Sequence, residues 1–450
     1  MTRTSHAALL AGLLLALPPL ALGEDLLQIY DLAVESDPTL REAGAQLNAD
    51  REAKPQAKAL LLPNIGLQGE VTYNNVRTRG NNVAGSFSRS DSFTDGALNP
   101  AIRQTVYNRA QWIGLKQTDN TIAAAEAQYR SAEIDLMANT TVAYFEILRR
   151  ADAVRVSESL VRANERTLDQ SKQRFEVGLV AITDVNESQA AFDLSRANLI
   201  LAQNALDTSW EALRQIVGPI KVPLYRLGDK LPLAPPEPNS IDKWAEAALA
   251  GNYGIVAAAE AAEAAKKGIE IQRSGHYPTL DAQAGYNWTR SSAEFNTDLD
   301  GAYIGLQVSV PIYQGGAVDS RTRQAGFSFQ AAQDRLDQQR RAVTKEVKDA
   351  FNGIISSISD VQARQAAVVS ARSNLESTQA GLEVGTRTQV DVLNAQRGLF
   401  QAEFDYLSSR YNYVINGVRL HQATSTLTRD VLAKGNAWLT PVDPVPPPAH

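Results

Sequence analysis

The 450 residues carry 44 Lys and Arg against 50 Asp and Glu, a formal charge of −6, and no basic patch of the kind nucleic acid requires. Cysteine is absent, which excludes disulfides, thiolate metal sites, cysteine nucleophiles and a lipidated N-terminal cysteine.

Residues 1–23 read as a secretory signal: Arg3 supplies the positive start, Ala7 to Leu17 the apolar stretch, and Ala21-Leu22-Gly23 the small residues before Glu24. No later run of about 18 apolar residues follows, so no transmembrane helix is expected. Any further membrane contact would be made by strands.

From Glu24 onward the chain reads as two copies of one unit. Asp37-Pro38-Thr39-Leu40 and Leu62-Pro63-Asn64-Ile65 match Asn252-Tyr253-Gly254-Ile255 and Tyr277-Pro278-Thr279-Leu280 at an offset of 215. Phe175-Glu176-Val177-Gly178 matches Leu382-Glu383-Val384-Gly385 at an offset of 207, as do Asp184-Val185 and Asp391-Val392. The offset changes because Pro63 to Tyr107 spans 44 positions and Pro278 to Tyr313 only 35, which places a longer exposed loop in the first copy. The expected organisation is a first repeat at 24–216, a proline-rich linker at 217–239, a second repeat at 240–426, and a C-terminal segment at 427–450 whose end, from Pro441, lacks fixed structure.

Each copy should run helix, two strands, a very long helix, a tight turn and another helix. Ile65, Leu67, Val71 and Tyr73 alternate with Gln68, Glu70, Thr72 and Asn74. Leu280, Ala282, Ala284, Tyr286 and Trp288 repeat the pattern against Asp281, Gln283, Asn287 and Thr289, and Ile304 to Ile312 returns in the same way. Polar stretches near Arg79 to Ser92 and Ser291 to Gly301 are expected to be hairpin loops. Pro63, Pro278 and Pro311 mark the strand-to-helix transitions, and Gly315-Gly316 a bend.

The long helices are expected at about Asn108 to Arg174 and Gly316 to Ala380, each about 95 to 100 Å long at 1.5 Å per residue. An apolar stripe of period seven runs Ile147, Val154, Val161, Leu168, Phe175 and recurs 207 positions on from Ile354 to Leu382. Such a stripe packs helix along helix. Alone it also fits a soluble coiled-coil rod, and the strands alone fit a sandwich edge. Four amphipathic strands cannot close a membrane barrel by themselves, because about eight is the smallest such barrel and an open edge in lipid leaves backbone groups unpaired. A membrane reading therefore requires an oligomer.

Arg174-Phe175-Glu176-Val177-Gly178-Leu179-Val180-Ala181-Ile182-Thr183-Asp184-Val185, Val384-Gly385-Thr386-Arg387-Thr388-Gln389-Val390-Asp391-Val392-Leu393 and Val310-Pro311-Ile312-Tyr313-Gln314-Gly315-Gly316 resemble the TolC family of outer-membrane channel-tunnels, over essentially the whole chain after the signal. The resemblance implies a mixed α and β membrane protein. It would be a homotrimer with a twelve-stranded β-barrel, four strands per chain, continued by a long α-helical barrel with a coiled-coil periplasmic end. It also implies a passive duct for type I protein secretion or drug efflux, in the outer membrane of a Gram-negative bacterium. The implied partners are a periplasmic adaptor and an energised inner-membrane transporter, ABC-type or proton-driven. Trimeric adhesins and periplasmic scaffolds are the competing readings. An adhesin should carry one barrel-forming segment at its C-terminus, whereas strands recur here in both halves.

By the same resemblance, Asp184, Arg387 and Asp391 hold a periplasmic entrance shut, while Gly178, Leu179, Val180, Gly385 and Thr386 lie where an adaptor docks. Leu382 stands where some members carry a tyrosine and Asn394 where they carry a second aspartate. A simpler role for both aspartates is to complement helix N-termini. No catalytic group, cofactor or metal is expected: His6 and His450 lie at the extremes of the chain, and His276 and His421 are far apart in sequence.

Overall fold

A computed structural model describes residues 23–83, 85–293 and 296–448. The expected signal at 1–23 lies outside them apart from Gly23. In chain order the elements are α1 (Leu26–Ser36), α2 (Pro38–Arg51), α3 (Ala53–Ala59), β1 (Asn64–Asn82), β2 (Gly85–Tyr107), α4 (Arg109–Glu176) and α5 (Ile182–Val217). Then come β3 (Leu224–Leu227), α6 (Ile241–Gly251), α7 (Tyr253–Arg273), β4 (Thr279–Ser291), β5 (Thr297–Ser309), α8 (Ala317–Glu383), α9 (Gln389–Ala423), α10 (Arg429–Asn436) and β6 (Leu439–Val445). They divide between two compact units. One takes in the chain up to Pro38, Ile134–Trp244 and everything from Glu346; the other takes in Thr39–Glu133 and Ala245–Lys345.

The helix before β1 is broken where the expected single helix meets Asp37, which is extended at φ −64°, ψ 121°. Pro38 disfavours a helical conformation in the residue before it. Asn252, its counterpart in the second half, is also extended, and its side chain accepts the N–H of Ile255 at 3.1 Å as a helix cap.

In the second unit, β1, β2, β4 and β5 form one antiparallel sheet in that order. The β1–β2 register runs without a break from Asn64↔Arg103 to Asn82↔Gly85. The expected loops at 79–92 and 291–301 are thus mostly strand. Serine, threonine and arginine side chains meet water readily, and ladder pairing needs only backbone donors and acceptors. The β2–β4 pairing stops at Asp95↔Ser291, so β1 and β2 continue past it as a two-stranded ribbon.

One sheet face is apolar and uncovered: Ile65, Val71, Ile304 and Leu306 are all more than two-thirds exposed. The other is polar, and there Asp95 accepts hydrogen bonds from Asn74 at 2.7 Å and from Ser291 at 2.5 Å, joining β1, β2 and β4.

The first unit is built on the C-terminal parts of α4 and α8 with α5 and α9. Antiparallel contact between α4 and α5 shows in Ser171–Ser188 at 3.0 Å and Asn164 to Ala191 O at 3.1 Å. In the second pair, Asn416 donates to Ser357 at 3.0 Å and Arg372 meets Glu403 at 3.1 Å. The period-seven stripe is buried at Ile147, Leu168, Ile354 and Val361 but exposed at Phe175, so packing thins toward the turns.

Apolar side chains including Trp210, Tyr144, Phe145 and Leu213 fill the core of this unit. The linker and the C-terminus meet there as the pair β3–β6. This corrects the expected unstructured end: Pro441 and Pro444 are tolerated because the pairing shifts register between Leu224↔Val445 and Arg226↔Thr440, and Asp443 takes φ 51° within that irregularity. Asp152, 5% exposed, fastens this pair of strands through Arg226. It accepts from Tyr411 at 2.6 Å and pairs with Arg226 at 3.1 Å and Arg155 at 3.0 Å. Burial and the Asp152 carboxylate hold the Tyr411 hydroxyl well above the usual tyrosine range.

Removing that carboxylate leaves a buried guanidinium and hydroxyl without their acceptor. Asp152→Ala is therefore expected to cost about 3–5 kcal/mol and Tyr411→Phe about 1.5–3 kcal/mol. Denaturant unfolding followed by tryptophan fluorescence measures both, and equal small losses would show that the cluster is not a fastening.

Candidate functional site

Both long helices end in the same way. The N–H of Leu179 reaches Arg174 O at 2.8 Å, and that of Thr386 reaches Gly381 O at 2.8 Å, each spanning five residues back. Gly178 and Gly385 both sit at φ +77°. This is the Schellman arrangement, in which a left-handed glycine lets the chain turn while the last helical carbonyls stay bonded. The glycines expected at the adaptor surface are therefore first of all what makes each turn possible. Around them the apolar side chains are open: Val177 is 70%, Leu179 74% and Val384 74% exposed, while Val180 is half-buried.

The next helices start differently. Thr388 caps α9: its hydroxyl accepts the Asp391 N–H at 3.2 Å, and the Asp391 carboxylate accepts the Thr388 N–H at 2.9 Å and its hydroxyl at 3.0 Å. This reciprocal pair is a capping box. The Thr388 N–H, then its hydroxyl, then the nearby Arg387 charge hold the Asp391 carboxyl below the usual aspartate range. At the equivalent place α5 begins on Ala181, which has no side-chain acceptor, and Asp184 occupies the third helical position. Among the described residues the Asp184 carboxylate has neither a hydrogen bond nor an ion pair. Two aspartates equivalent in the repeat thus differ: one is committed within its own chain and one is open.

Arg387 likewise has no ion pair among the described residues. Its aliphatic stem lies over Gly381, where an added Cβ would meet Arg387 Cγ at 2.6 Å and Thr386 Oγ1 at 3.3 Å. Gly381 was not singled out from sequence, yet a signal existed, since its repeat counterpart is Arg174 and the counterpart of Arg387 is Val180. Thr388 was also missed, although Thr388-Gln389-Val390-Asp391 has capping-box spacing. Leu382 is half-buried and Asn394 exposed. Neither makes a side-chain hydrogen bond among the described residues.

The histidines fall in different units and are bound locally. His276 Nε2 lies 3.2 Å from Asp319 Oδ1, and His421 Nδ1 lies 2.9 Å from Thr426 Oγ1. Among the described residues no cluster of three or more His, Asp or Glu could hold a metal ion, and no helix is long and apolar enough to cross a membrane.

Because Asp391 is held below its unfolded value, its contribution to stability is present above the ordinary aspartate pKa and disappears as pH falls through the folded one. Thr388→Val removes the hydroxyl and keeps the N–H. The Asp391 midpoint in a carboxyl NMR titration should rise part of the way toward the ordinary value, with about 1 kcal/mol lost from α9. An unmoved midpoint would show that the hydroxyl contributes nothing.

The sheet, the long helix pairs and the turns correspond to known proteins along nearly their whole length. Residues 29–219 and 244–426 match the family described as outer membrane efflux protein. The outer membrane protein TolC of Vibrio cholerae is 36% identical over 423 residues, covering 92% of this chain and 94% of that protein. TolC of Escherichia coli is 35% identical over 442 residues, covering 95% and 87%. The solved structure of the outer membrane protein VceC from Vibrio cholerae superimposes with a TM-score of 0.74 at 20% identity, covering 89% of this chain and 95% of that one, and so shares its fold. The chain belongs to the outer membrane efflux protein family and is, like TolC, a non-catalytic duct in the outer membrane, serving tripartite export systems and extending into the periplasm.

Proposed function

We propose that three copies of this chain close a twelve-stranded barrel, four strands from each, with the apolar sheet face toward lipid and the polar face toward water. Below it the paired helices continue as a helical barrel with a coiled-coil periplasmic end. Residues 1–23 act as the export signal, 24–216 and 240–426 as the two repeats, and 217–239 with 427–450 as the belt around the helices. A periplasmic adaptor docks on the exposed apolar side chains beside Gly178, Leu179, Val180, Gly385 and Thr386. An inner-membrane transporter supplies the energy, and protein secretion and drug efflux are the two export routes the duct serves.

The observation that carries the gate is the asymmetry of the two turns. Asp391 is committed to Thr388 within its own chain, whereas Asp184 and Arg387 are left open with opposite charges. Arg387 of one copy pairing with Asp184 of the next would satisfy both and hold the entrance closed. Exposed pairs are worth at most about 1 kcal/mol each, so three supply about 3 kcal/mol, a bias of about a hundredfold. An adaptor preferring the open state can reverse a bias of that size. Leu382 has no donor to add to the closure, which leaves Arg387 with more of it.

Single-channel conductance in planar bilayers tests the gate. The wild type should conduct weakly and Arg387→Ser strongly, with Gly381→Ala between them because its methyl group displaces the arginine stem. Unchanged conductance in all three would remove the gate.

Asp391 without a second carboxylate at Asn394 places three acidic groups around the constriction instead of six. Block by multivalent cations should therefore be weaker in the wild type than in Asn394→Asp. Equal blocking affinities would show that this ring does not line the path.

A further inference from the structure

The ribbon that β1 and β2 form beyond Asp95↔Ser291 has two unlike faces. Because the β1–β2 register is unbroken and side chains alternate with period two, the face continuous with Ile65, Leu67, Val71 and Tyr73 carries Arg77 and Arg79. Asn75 and Asn81 flank them on β1. Opposite, on β2, stands a serine at every second position from Ser86 to Ser92, paired as Arg77↔Ser90 and Arg79↔Ser88. Within the ribbon this face holds no carboxylate; Asp298 and Asp300 on β5, which the registers place on the same face of the sheet, are bonded to Arg290 and Tyr286. Arg77 and Arg79 are exposed and have no hydrogen bond or ion pair among the described residues. Two other arginines near the hairpin turns are paired: Arg89 with Asp91 at 2.9 Å on the opposite face, and Arg290 with Asp298 at 2.9 Å on the neighbouring hairpin. Phe87 lies across Gly80 on that opposite face.

We propose that the Arg77–Arg79 face of the ribbon binds the phosphorylated saccharide headgroup of a glycolipid in the outer leaflet. The proposal rests on the barrel reading above. All four strand–helix junctions lie at the end of the sheet away from the hairpin turns, so with the helices in the periplasm the ribbon projects outside the cell.

The face then matches such a lipid from bottom to top. Ile65, Leu67 and Val71 meet the acyl chains, and Tyr73 lies at the interface, where aromatic residues gather. At about 3.4 Å per residue and a tilt of about 40°, Arg77 stands about 10 Å and Arg79 about 16 Å above Tyr73. Two guanidiniums about 7 Å apart present forked donors to phosphate oxygens. Serine hydroxyls and asparagine amides donate to and accept from sugar hydroxyls. A free carboxylate there would repel the phosphate; the ribbon has none on this face, and Asp298 and Asp300 of β5 are already engaged by Arg290 and Tyr286.

Native mass spectrometry of the purified oligomer in detergent tests this, with hexa-acylated diphosphoryl lipid A, its monophosphoryl form and phosphatidylcholine as probes. The wild type should retain the diphosphoryl lipid best and phosphatidylcholine least. Arg77→Ser/Arg79→Ser should bind the diphosphoryl lipid about thirtyfold more weakly, while Arg89→Ser on the other face binds as the wild type does. Excess inorganic phosphate should not displace the lipid; displacement would mean a site for free phosphate, and the proposal would fall. Equal binding by the wild type and the double variant, or an equal loss in Arg89→Ser, would also overturn it. Heat-resistant oligomer on gels and bilayer conductance separate the two readings. A wild type that inserts and conducts but shows no preference for the phosphorylated lipid defeats this proposal alone. A wild type that forms no inserted oligomer defeats the barrel and this proposal with it.

Discussion

Strands β1 and β5 are the two edges of the sheet, and each leaves a row of backbone N–H and C=O groups without a partner strand in the chain. In water such an edge is a liability, and in lipid it is prohibitive, since each unpaired group costs several kcal/mol. The neighbouring apolar face, with Ile304 and Val71 about as exposed as in an unfolded chain, adds the same demand. One constraint thus links the sheet to the proposed assembly: pairing β5 of one copy with β1 of another would satisfy both edges in a membrane, and the proposed gate takes its symmetry from that closure.

Duplication supplies two similar halves, but the function proposed here uses the places where they diverge. Gly178 and Gly385 make the same turn with the same φ, so geometry is conserved between the copies. Charge is not. Thr388 against Ala181 caps the second turn internally, Arg387 against Val180 with Gly381 against Arg174 moves its one arginine to the other side of the glycine, and the first turn is left with an uncommitted carboxylate. In the proposed assembly a ring of alternating halves would place unlike turns side by side, which identical repeats could not do.

Much of this was legible in the residues themselves. The long helices fall within a few residues of their expected limits, because sixty-odd positions without proline and with a sustained period of seven admit little else. The alternation around Val71 and Ala284 placed the strands, but not their ends: hydrophobic alternation reports which residues meet lipid, and a ladder of serines and arginines continues past that band unseen. The end from Pro441 misled for a related reason. Two prolines argue against a regular strand, yet β6 needs only a few ladder contacts across a register shift. At the turns, residue types pointed to the right neighbourhood, but the partner of Asp391 could not be read from the repeat, which equates it with Asp184. What separates them is the residue three positions earlier, Thr388 or Ala181, and a local capping box outweighs an equivalence that spans 207 positions.

The strengths of these contacts differ in a way that suits a duct without chemistry of its own. Asp152 is buried, bonded to Tyr411, Arg226 and Arg155, and a cluster of that kind resists rearrangement because breaking it strands charge in the interior. The side chains at the turns are exposed, and their pairings are correspondingly weak and screened. Packing along the coiled helices falls off in the same direction, from fully buried Ile147 and Ile354 to the open Phe175. Local opening is cheapest where buried apolar contact is least. In the mechanism proposed, a partner that binds the turns would act on the softest part of the first unit while the cluster around Asp152 stays in place, and a gate bias of about 3 kcal/mol is small enough for docking alone to reverse.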